Sequence, residues 1–230
     1  MSLMKALDPS PRLTIRAPYV TVALVVAHVA IFVLVLAMGE AASRDIVHGF
    51  SAIPARLFEK HALPDGLRTV APLLSLITYQ FLHEGWAPLV LNMLFLWHFG
   101  DLIEDALGHS RYFLMVLVCG AMGGLLYGLV DTTDLSPLIG ASGAVSGVLG
   151  AYLMLYPRAR VPGRILGAVP LPAFILIGGY VVLNLIWVGG LSSAALDTAL
   201  WVPLGGAVTG AFMIFYLRNP RIGLWHRTPR

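Results

Sequence analysis

The chain has 230 residues, of which 58% are hydrophobic and only 12% are charged. A soluble domain carries about 25% charged residues, and the apolar residues here occur in long blocks, so the composition predicts a polytopic membrane protein. The net charge of +3 does not indicate a nucleic-acid partner, because the basic residues gather at the ends of the apolar blocks, where they orient membrane proteins.

Six apolar blocks are each long enough to cross a hydrocarbon core of about 30 Å. The predicted fold class is therefore all-α, a six-span membrane bundle. The spans, in chain order, are Tyr19–Met38, Trp86–Ile103, Tyr112–Val130, Leu138–Tyr156, Leu166–Val188 and Ala199–Leu217. The first is too long for the core of a cleaved signal peptide, so we interpret it as a retained span. A shorter block, Leu73–Leu82, either lies in the membrane interface or lengthens span two.

Lysine and arginine predict the orientation, because they are enriched in cytoplasmic segments. Most of them lie on one side of the predicted spans: Lys5, Arg12, Arg16, Arg111, Arg158, Arg160, Arg164, Arg218, Arg221, Arg227 and Arg230. Both termini are therefore predicted to be cytoplasmic. The predicted organisation is a cytoplasmic tail over residues 1–18, a membrane domain over 19–217 and a basic tail over 218–230. The long first loop, 39–72, is either interfacial or an exposed connector.

Glycines recur at four-residue spacing in three of the predicted spans. They form the patterns Gly100-x-x-x-Glu104-x-x-x-Gly108, Gly143-x-x-x-Gly147 and Gly206-x-x-x-Gly210. Helices in lipid associate through close approach of small residues, so these patterns predict a tight bundle with spans two, four and six near its middle. For Glu104 we predict a structural role, in which it either caps backbone donors of a neighbouring loop or pairs with Arg111.

Polar residues lie near the outer ends of the same three spans. In the predicted topology these spans share a direction, so Asn92, Ser142 and the segment Trp201–Gly206 lie at one depth. Polar groups within a bilayer are costly and are functional candidates. A serine hydroxyl can attack a carbonyl, while the free N–H groups at the start of span four and the Asn92 amide can stabilise an oxyanion. From spacing alone, packing of Ser142 against a neighbouring helix is favoured over catalysis.

The motifs resemble those of the rhomboid intramembrane serine proteases over about Phe81–Phe215. Phe81–Trp86 together with Asn92–Trp97 is similar to the family's second span, and Gly100–Gly108 matches its G-x-x-x-E-x-x-x-G pattern. Gly140–Gly143 matches its G-x-S-G nucleophile motif. Leu204–Gly210, with Gly205, Gly206 and Gly210, resembles the small-residue face of its sixth span. The resemblance implies a six-span rhomboid-like bundle that cleaves transmembrane substrates. It also implies that Ser142 is the nucleophile and that Asn92 donates to the oxyanion.

The sequence departs from the family at two positions. Pro203 stands where the resemblance implies the general-base histidine, and Pro88 stands where it implies an oxyanion histidine. Proline has no titratable group, and losing the base of such a site costs about 10⁴- to 10⁶-fold in turnover. The sequence therefore predicts a catalytically impaired or inactive form that binds transmembrane helices. The alternative is an active protease that uses Ser142 with an unconventional base.

The remaining histidines offer few substitutes for the missing base. His83 precedes Asn92 by nine residues, roughly 13 Å along a helix, so we interpret it, like His61, as an interfacial or loop histidine. Both prolines are predicted to lie in or near the first turn of their spans, where a missing N–H costs little. The fold can therefore survive while the chemistry does not.

The expected partners are transmembrane-helix substrates or clients and membrane lipid, with no nucleic acid, no cofactor and no metal. The expected location is a bacterial inner (cell) membrane. A small transporter or channel is a third alternative, suggested only by the six spans and the abundant glycine. Charged residues are nearly absent from the interiors of the predicted spans, which argues against an ion path.

Overall fold

The structure, a computed structural model, describes residues 17–59, 70–161, 171–189, 193–220 and 222–225. The predictions for the first 16 residues, for His61 and for the basic residues at 164, 221, 227 and 230 lie outside these ranges. In chain order the helices are α1 Tyr19–Ala37, α2 Glu40–Phe50, α3 Pro54–Leu57, α4 Pro72–Thr78, a 3-10 turn Tyr79–Phe81, α5 Trp86–Leu107, α6 His109–Val130, α7 Ser142–Leu155, α8 Ala173–Gly189 and α9 Ser193–Leu217. Two short antiparallel strands, β1 Arg160–Val161 and β2 Leu171–Pro172, lie between α7 and α8.

The predicted all-α, polytopic membrane fold is confirmed. Four helices of the described chain are long and apolar enough to cross a membrane: α1, α5, α6 and the segment Leu200–Leu217 of α9. The helices that correspond to predicted spans four and five are apolar but shorter, Ser142–Leu155 and Ala173–Asn184. All six predicted spans thus contain a helix, and four of them meet the length of a full crossing.

Several span boundaries differ from the prediction. The helix of span five begins at Ala173 rather than Leu166, because Leu171 and Pro172 pair with residues 160 and 161 as β2.

Two further differences affect the candidate site. Span four begins at Ser142 rather than Leu138, because Leu138 pairs with Ala52 in an antiparallel bridge, with N–H···O distances of 2.9 and 3.2 Å. Gly140 then takes a φ of +118°, which favours glycine, and the helix starts after it. Span six begins at Ser193, six residues before the predicted start, and this difference changes the setting of Pro203.

The block Leu73–Leu82 does not lengthen span two. It forms α4 and the 3-10 turn, and the chain then runs extended through Gly85, where φ is −170°, before α5 begins. Tyr79 is fully buried, and its hydroxyl donates to the Gly120 carbonyl of α6 at 2.7 Å. In the long first loop, residues 52–55 are buried against the rest of the protein. This part of the loop is therefore not an exposed connector.

Of spans two, four and six, which were predicted to lie near the middle of the bundle, spans four and six approach each other closely. The placement of span two is wrong, because α6 rather than α5 packs against both α7 and α9 in the described chain. A Cβ atom placed on Gly206 of α9 would lie 1.9 Å from the Gly143 carbonyl oxygen of α7. A Cβ atom on Gly210 would lie 1.9 Å from the Gly147 oxygen. The two helix backbones therefore touch over two turns, and only glycine fits at the contact. Helix α7 also contacts α5, α6 and α8, and residues 143–152 are all buried.

The buried carboxylate of Glu104 caps the N-terminus of α1. One oxygen accepts from the backbone N–H of Val20 at 2.9 Å; the other accepts from the N–H and the hydroxyl of Thr21 at 2.8 and 2.7 Å. His109 Nδ1 lies 2.5 Å from the first oxygen. The predicted capping role is confirmed, with a helix end in place of a loop. The alternative pairing with Arg111 is wrong, because that side chain donates to a carbonyl at the end of α9 at 3.1 Å.

Candidate active site

A cavity of about 150 Å³ lies beside the N-terminal end of α7. It is bounded by the beginning of α5, by α8 and by the segment that leads into α7. Four residues of the motifs that the sequence analysis identified line it together: Pro88, Asn92, Gly140 and Ser142. The other lining residues are His83, Glu84, Tyr127, Ser136, Pro137, Leu138, Ile139 and Asn184. The structure therefore brings the predicted hydroxyl and amide to one polar cavity.

Ser142 is the first residue of α7 and is half-buried. Its position depends on the turn before it, because the N–H of Gly140 donates to the Tyr79 carbonyl at 3.1 Å and anchors the chain. The N–H groups of the first helical turn have no intrahelical acceptor, so they are available to an oxyanion near the serine. Within the described ranges, no nitrogen base is recorded in a hydrogen bond to Ser142 Oγ.

The Asn92 side chain is buried and is held from two sides. Its Oδ1 accepts from the Tyr180 hydroxyl of α8 at 2.9 Å, and its Nδ2 lies 3.4 Å from His83 Nε2. The same hydroxyl lies 3.5 Å from the Ser142 carbonyl oxygen. Tyr180 therefore joins α8 to both α5 and α7. The sequence contains no signal for this contact beyond a tyrosine, followed four residues later by Asn184, in an otherwise apolar span.

His83 contacts Asn92, contrary to the distance expected from the sequence. The expectation of roughly 13 Å assumed that both residues share a helix, but α5 begins only at Trp86, and His83 belongs to the loop before it. Burial and the neighbouring His28 lower the pKa of His83 to about 3, and the backbone of Phe81 partly offsets this. His83 is therefore neutral at physiological pH. The interpretation as a loop histidine therefore holds, since His83 precedes α5, whereas the expected separation from Asn92 is wrong.

The two prolines occupy different settings. Pro88 lies in the first turn of α5, as predicted. Pro203 lies in the interior of α9, because that helix begins at Ser193, so its predicted first-turn position is wrong. Its missing N–H leaves the carbonyl of residue 199 without its helical donor. Pro203 is buried and is not among the described residues that line the cavity.

Within the described ranges, no group of three or more histidine, cysteine, aspartate or glutamate side chains could hold a metal ion. The cavity itself offers hydroxyl, amide, imidazole and carboxylate side chains and the backbone N–H donors of α7. These are the groups of acyl transfer: a hydroxyl that can attack a carbonyl and donors that can stabilise the resulting oxyanion.

Comparison with known proteins identifies similar chains. A family model described as the rhomboid domain matches residues 71–220. "Rhomboid protein 1, mitochondrial" of Saccharomyces cerevisiae is 32% identical over 158 residues, which cover 63% of this chain and 42% of that protein. "Presenilin-associated rhomboid-like protein, mitochondrial" of Homo sapiens is 28% identical over 165 residues, which cover 64% of this chain and 40% of that protein. The chain thus matches about two fifths of the length of these relatives.

Proposed function

The chain belongs to the rhomboid family of membrane proteins, and from this premise we propose that it binds transmembrane helices and has strongly impaired peptidase activity. The observation that supports this proposal most directly is the identity of residue 203. Pro203 is buried in α9 and has no titratable group, and it occupies the position where the family resemblance implies the base. An unassisted serine hydroxyl is a poor nucleophile near neutral pH. Loss of the base costs about 10⁴- to 10⁶-fold in turnover.

The rest of the site supports binding without efficient cleavage. Ser142 and Asn92 line one cavity, and α7 keeps free N–H groups beside it. Recognition of a helix requires the shape and the donors of this region, whereas cleavage also requires a proton acceptor. Compared with the histidines that the resemblance implies, Pro88 and Pro203 remove two titratable groups and, at Pro203, one helical N–H donor. We therefore expect affinity for a transmembrane helix to persist when turnover is lost.

The test compares three forms of the protein in lipid nanodiscs with a fluorescent transmembrane peptide. They are the wild type, the double variant Pro88→His with Pro203→His, and that double variant with Ser142→Ala. All three should bind the peptide, and the double variant alone should cleave it rapidly. The proposal fails if the wild type does not bind, or if it cleaves within about tenfold of the double variant.

A second candidate function is an active intramembrane serine protease with an unconventional base. The observation that favours it is His83, which lines the same cavity as Ser142 and contacts Asn92. An active protease should react through Ser142 with a fluorophosphonate at a rate close to that of the double variant. A wild-type rate lower by a factor of 10³ or more would remove this candidate.

The protein is an integral, multi-pass membrane protein, and its membrane and orientation are proposals. The relatives carry mitochondrial names, so the bacterial cell membrane stays a prediction. Cytoplasmic termini are supported by the basic residues after α9, such as Arg218. A cysteine added after the last residue should react with an impermeant thiol reagent in inverted bacterial vesicles only. Labelling in right-side-out vesicles would contradict the orientation.

A further inference from the structure

We propose that Arg111 and Arg218, which meet at the C-terminal end of α9, bind the phosphate group of an anionic phospholipid. The inference does not depend on the proposed function, because this surface lies at the other end of the bundle from the cavity. The order of the glycine contacts, in which both helices advance together, shows that α7 and α9 run parallel. The cavity lies beside the first turn of α7, whereas the two arginines lie at the last turn of α9.

Both guanidinium groups are fixed by backbone carbonyls at this helix end. Arg111, on the first turn of α6, donates from Nη1 to the Leu217 oxygen at 3.1 Å. Arg218 donates from Nη1 to the Phe215 oxygen at 3.0 Å and from Nε to the Ile222 oxygen at 2.9 Å. Phe215 and Leu217 lie in the last turn of α9, so the two positive groups lie beside each other. The backbone therefore positions them before any ligand binds.

Most of the hydrogen-bonding capacity of these two groups is left over. A guanidinium has five N–H donors and no acceptor, and three donors of the pair are recorded in hydrogen bonds. The carbonyl end of a helix supplies about half an elementary negative charge, which offsets two positive charges only in part. In the described part of the chain neither arginine is recorded in an ion pair, and residues 218–230 contain four arginines and no acidic residue. The pair therefore has both charge and donors to offer to an anionic group.

The depth of the pair in the membrane favours a lipid as the source of the anion. The apolar segment Leu200–Leu217 ends immediately before Arg218, and the spanning helix α6 begins two residues before Arg111. Both side chains therefore lie at the boundary between the hydrocarbon core and the headgroups, where phospholipids carry their phosphates. A guanidinium matches a phosphate through two parallel N–H···O bonds, which is the geometry that two held arginines can offer there.

The surface beside the pair is apolar and open. Phe212 and Tyr216 of α9 are exposed, with ring centroids 5.1 Å apart. Trp225 is also exposed; its ring lies 6.4 Å from that of Phe215, and its backbone N–H donates to the Met154 oxygen of α7 at 3.1 Å. Tyrosine and tryptophan are enriched at this depth, where one part of the ring meets lipid and another meets water. These rings can contact the acyl chains of a bound lipid, whereas a soluble phosphate has no group for this contact.

A diffuse attraction between positive charge and an anionic membrane surface is the alternative explanation for arginines at this depth. Diffuse attraction depends on charge alone, so any arginine at this end contributes equally and lysine replaces it without loss. A built site depends on the two held guanidinium groups, because lysine lacks their planar fork. Arg158 offers the comparison, since it is exposed, follows α7 at the same end and is recorded in no side-chain hydrogen bond within the described ranges.

The experiment measures which lipid lies beside Trp225 in nanodiscs. Discs of phosphatidylcholine receive a small fraction of brominated phosphatidylglycerol or, as the reference, of brominated phosphatidylcholine, because bromine quenches a nearby indole. Subtracting the signal of the Trp225→Phe variant leaves the quenching of Trp225 itself. Since a basic side chain at a lipid phosphate contributes about fivefold to binding, the wild type should prefer phosphatidylglycerol by about 25-fold.

The variants separate a site from diffuse charge. Arg111→Gln should lower this preference by about fivefold, whereas the matched control Arg158→Gln should lower it by less than about twofold. The double variant Arg111→Lys with Arg218→Lys keeps the charge but loses the planar forks, so it should still lower the preference by about fivefold.

Each contrary result overturns the proposal. Equal losses for Arg158→Gln and Arg111→Gln, or a wild-type preference in the double lysine variant, would mean diffuse attraction instead of a site. Loss of the preference when inorganic phosphate is added at constant ionic strength would identify a soluble phosphate as the ligand and exclude the lipid. If the double lysine variant does not fold, the two single glutamine variants decide, since Arg111→Gln removes one exposed hydrogen bond. Peptide binding and cleavage are measured separately, so none of these results bears on the proposed function.

Discussion

Replacement of Gly206 by alanine tests the backbone contact between α7 and α9. The new Cβ atom would lie 1.9 Å from the Gly143 carbonyl oxygen and 2.7 Å from its carbon. Since close-packed atoms do not approach below about 3 Å, the helices must separate by about 1 Å at this point. The neighbouring atoms are backbone, which cannot turn away as a flexible side chain would.

The magnitude follows from two opposing terms. Overpacking at a rigid contact costs about 1–3 kcal/mol. Alanine gains about 0.5–1 kcal/mol over glycine in a helix interior. The net loss should therefore be about 1–2 kcal/mol, which in a chain of this size lowers Tm by roughly 2–8 °C. Gly206→Ala with Gly210→Ala should lose more than either alone, because both contacts lie on one face.

The assay is thermal unfolding in detergent, followed by circular dichroism, with Gly178→Ala as the matched control. Gly178 also lies within a helix, α8, but a Cβ atom there has no neighbour within 4 Å. The control should therefore keep or raise the Tm of the wild type. If Gly206→Ala and Gly178→Ala shift Tm equally, the contact between α7 and α9 does not have the closeness described, and the reasoning is refuted.

Three further substitutions test other contacts by the same unfolding assay. Glu104→Ala removes the acceptor for the first N–H donors of α1 and should lower the free energy of unfolding by about 2–4 kcal/mol. The control Asp45→Ala, on the exposed face of α2, should change it by no more than about 0.5 kcal/mol. Equal losses would exclude the capping role. Tyr180→Phe should cost about 1 kcal/mol and slow the labelling of Ser142 by a fluorophosphonate. An unchanged labelling rate would mean that this hydroxyl does not position Asn92. Pro203→Ala should stabilise the protein by about 1 kcal/mol or more, because it restores an N–H donor in the interior of α9, whereas Pro88→Ala should be nearly neutral. A larger stabilisation by Pro88→Ala than by Pro203→Ala would contradict the observed start of α9.

The sequence predicts those features that depend on local pattern. Helices α1, α5 and α6 begin within three residues of their predicted starts, because an apolar block must satisfy its own backbone hydrogen bonds in lipid. The start of α9 was missed because residues 193–199 include polar side chains, which end an apolar block but not a helix. Hydropathy reports the lipid contact of a segment, and a helix can continue beyond it.

The site was predictable in part. Ser142 and Asn92 were expected at one depth, and they line one cavity. The contact of Asn92 with Tyr180 joins residues 88 positions apart, and no spacing rule reaches that distance. His83 was misjudged for a different reason, since the chain ahead of α5 is extended at Gly85 and the helical rise does not apply there. Contacts that depend on the path of the chain between two helices cannot be derived from sequence spacing and are found only in the structure.

The scaffold and the chemistry of this fold depend on different atoms, which explains how one can persist without the other. The closest contacts of α9 with α6 and α7 involve backbone atoms: Gly206 lies against the Gly143 oxygen, and the Val202 carbonyl oxygen lies 2.5 Å from a Cβ placed on Gly123. None of these contacts uses the side chain of residue 203. A proline there removes one helical hydrogen bond, which membrane helices tolerate when neighbouring groups satisfy the freed carbonyl. The packing of the helices therefore depends on the glycine contacts, whereas turnover depends on a proton acceptor. Only variants that change the acceptor at constant packing can separate the two.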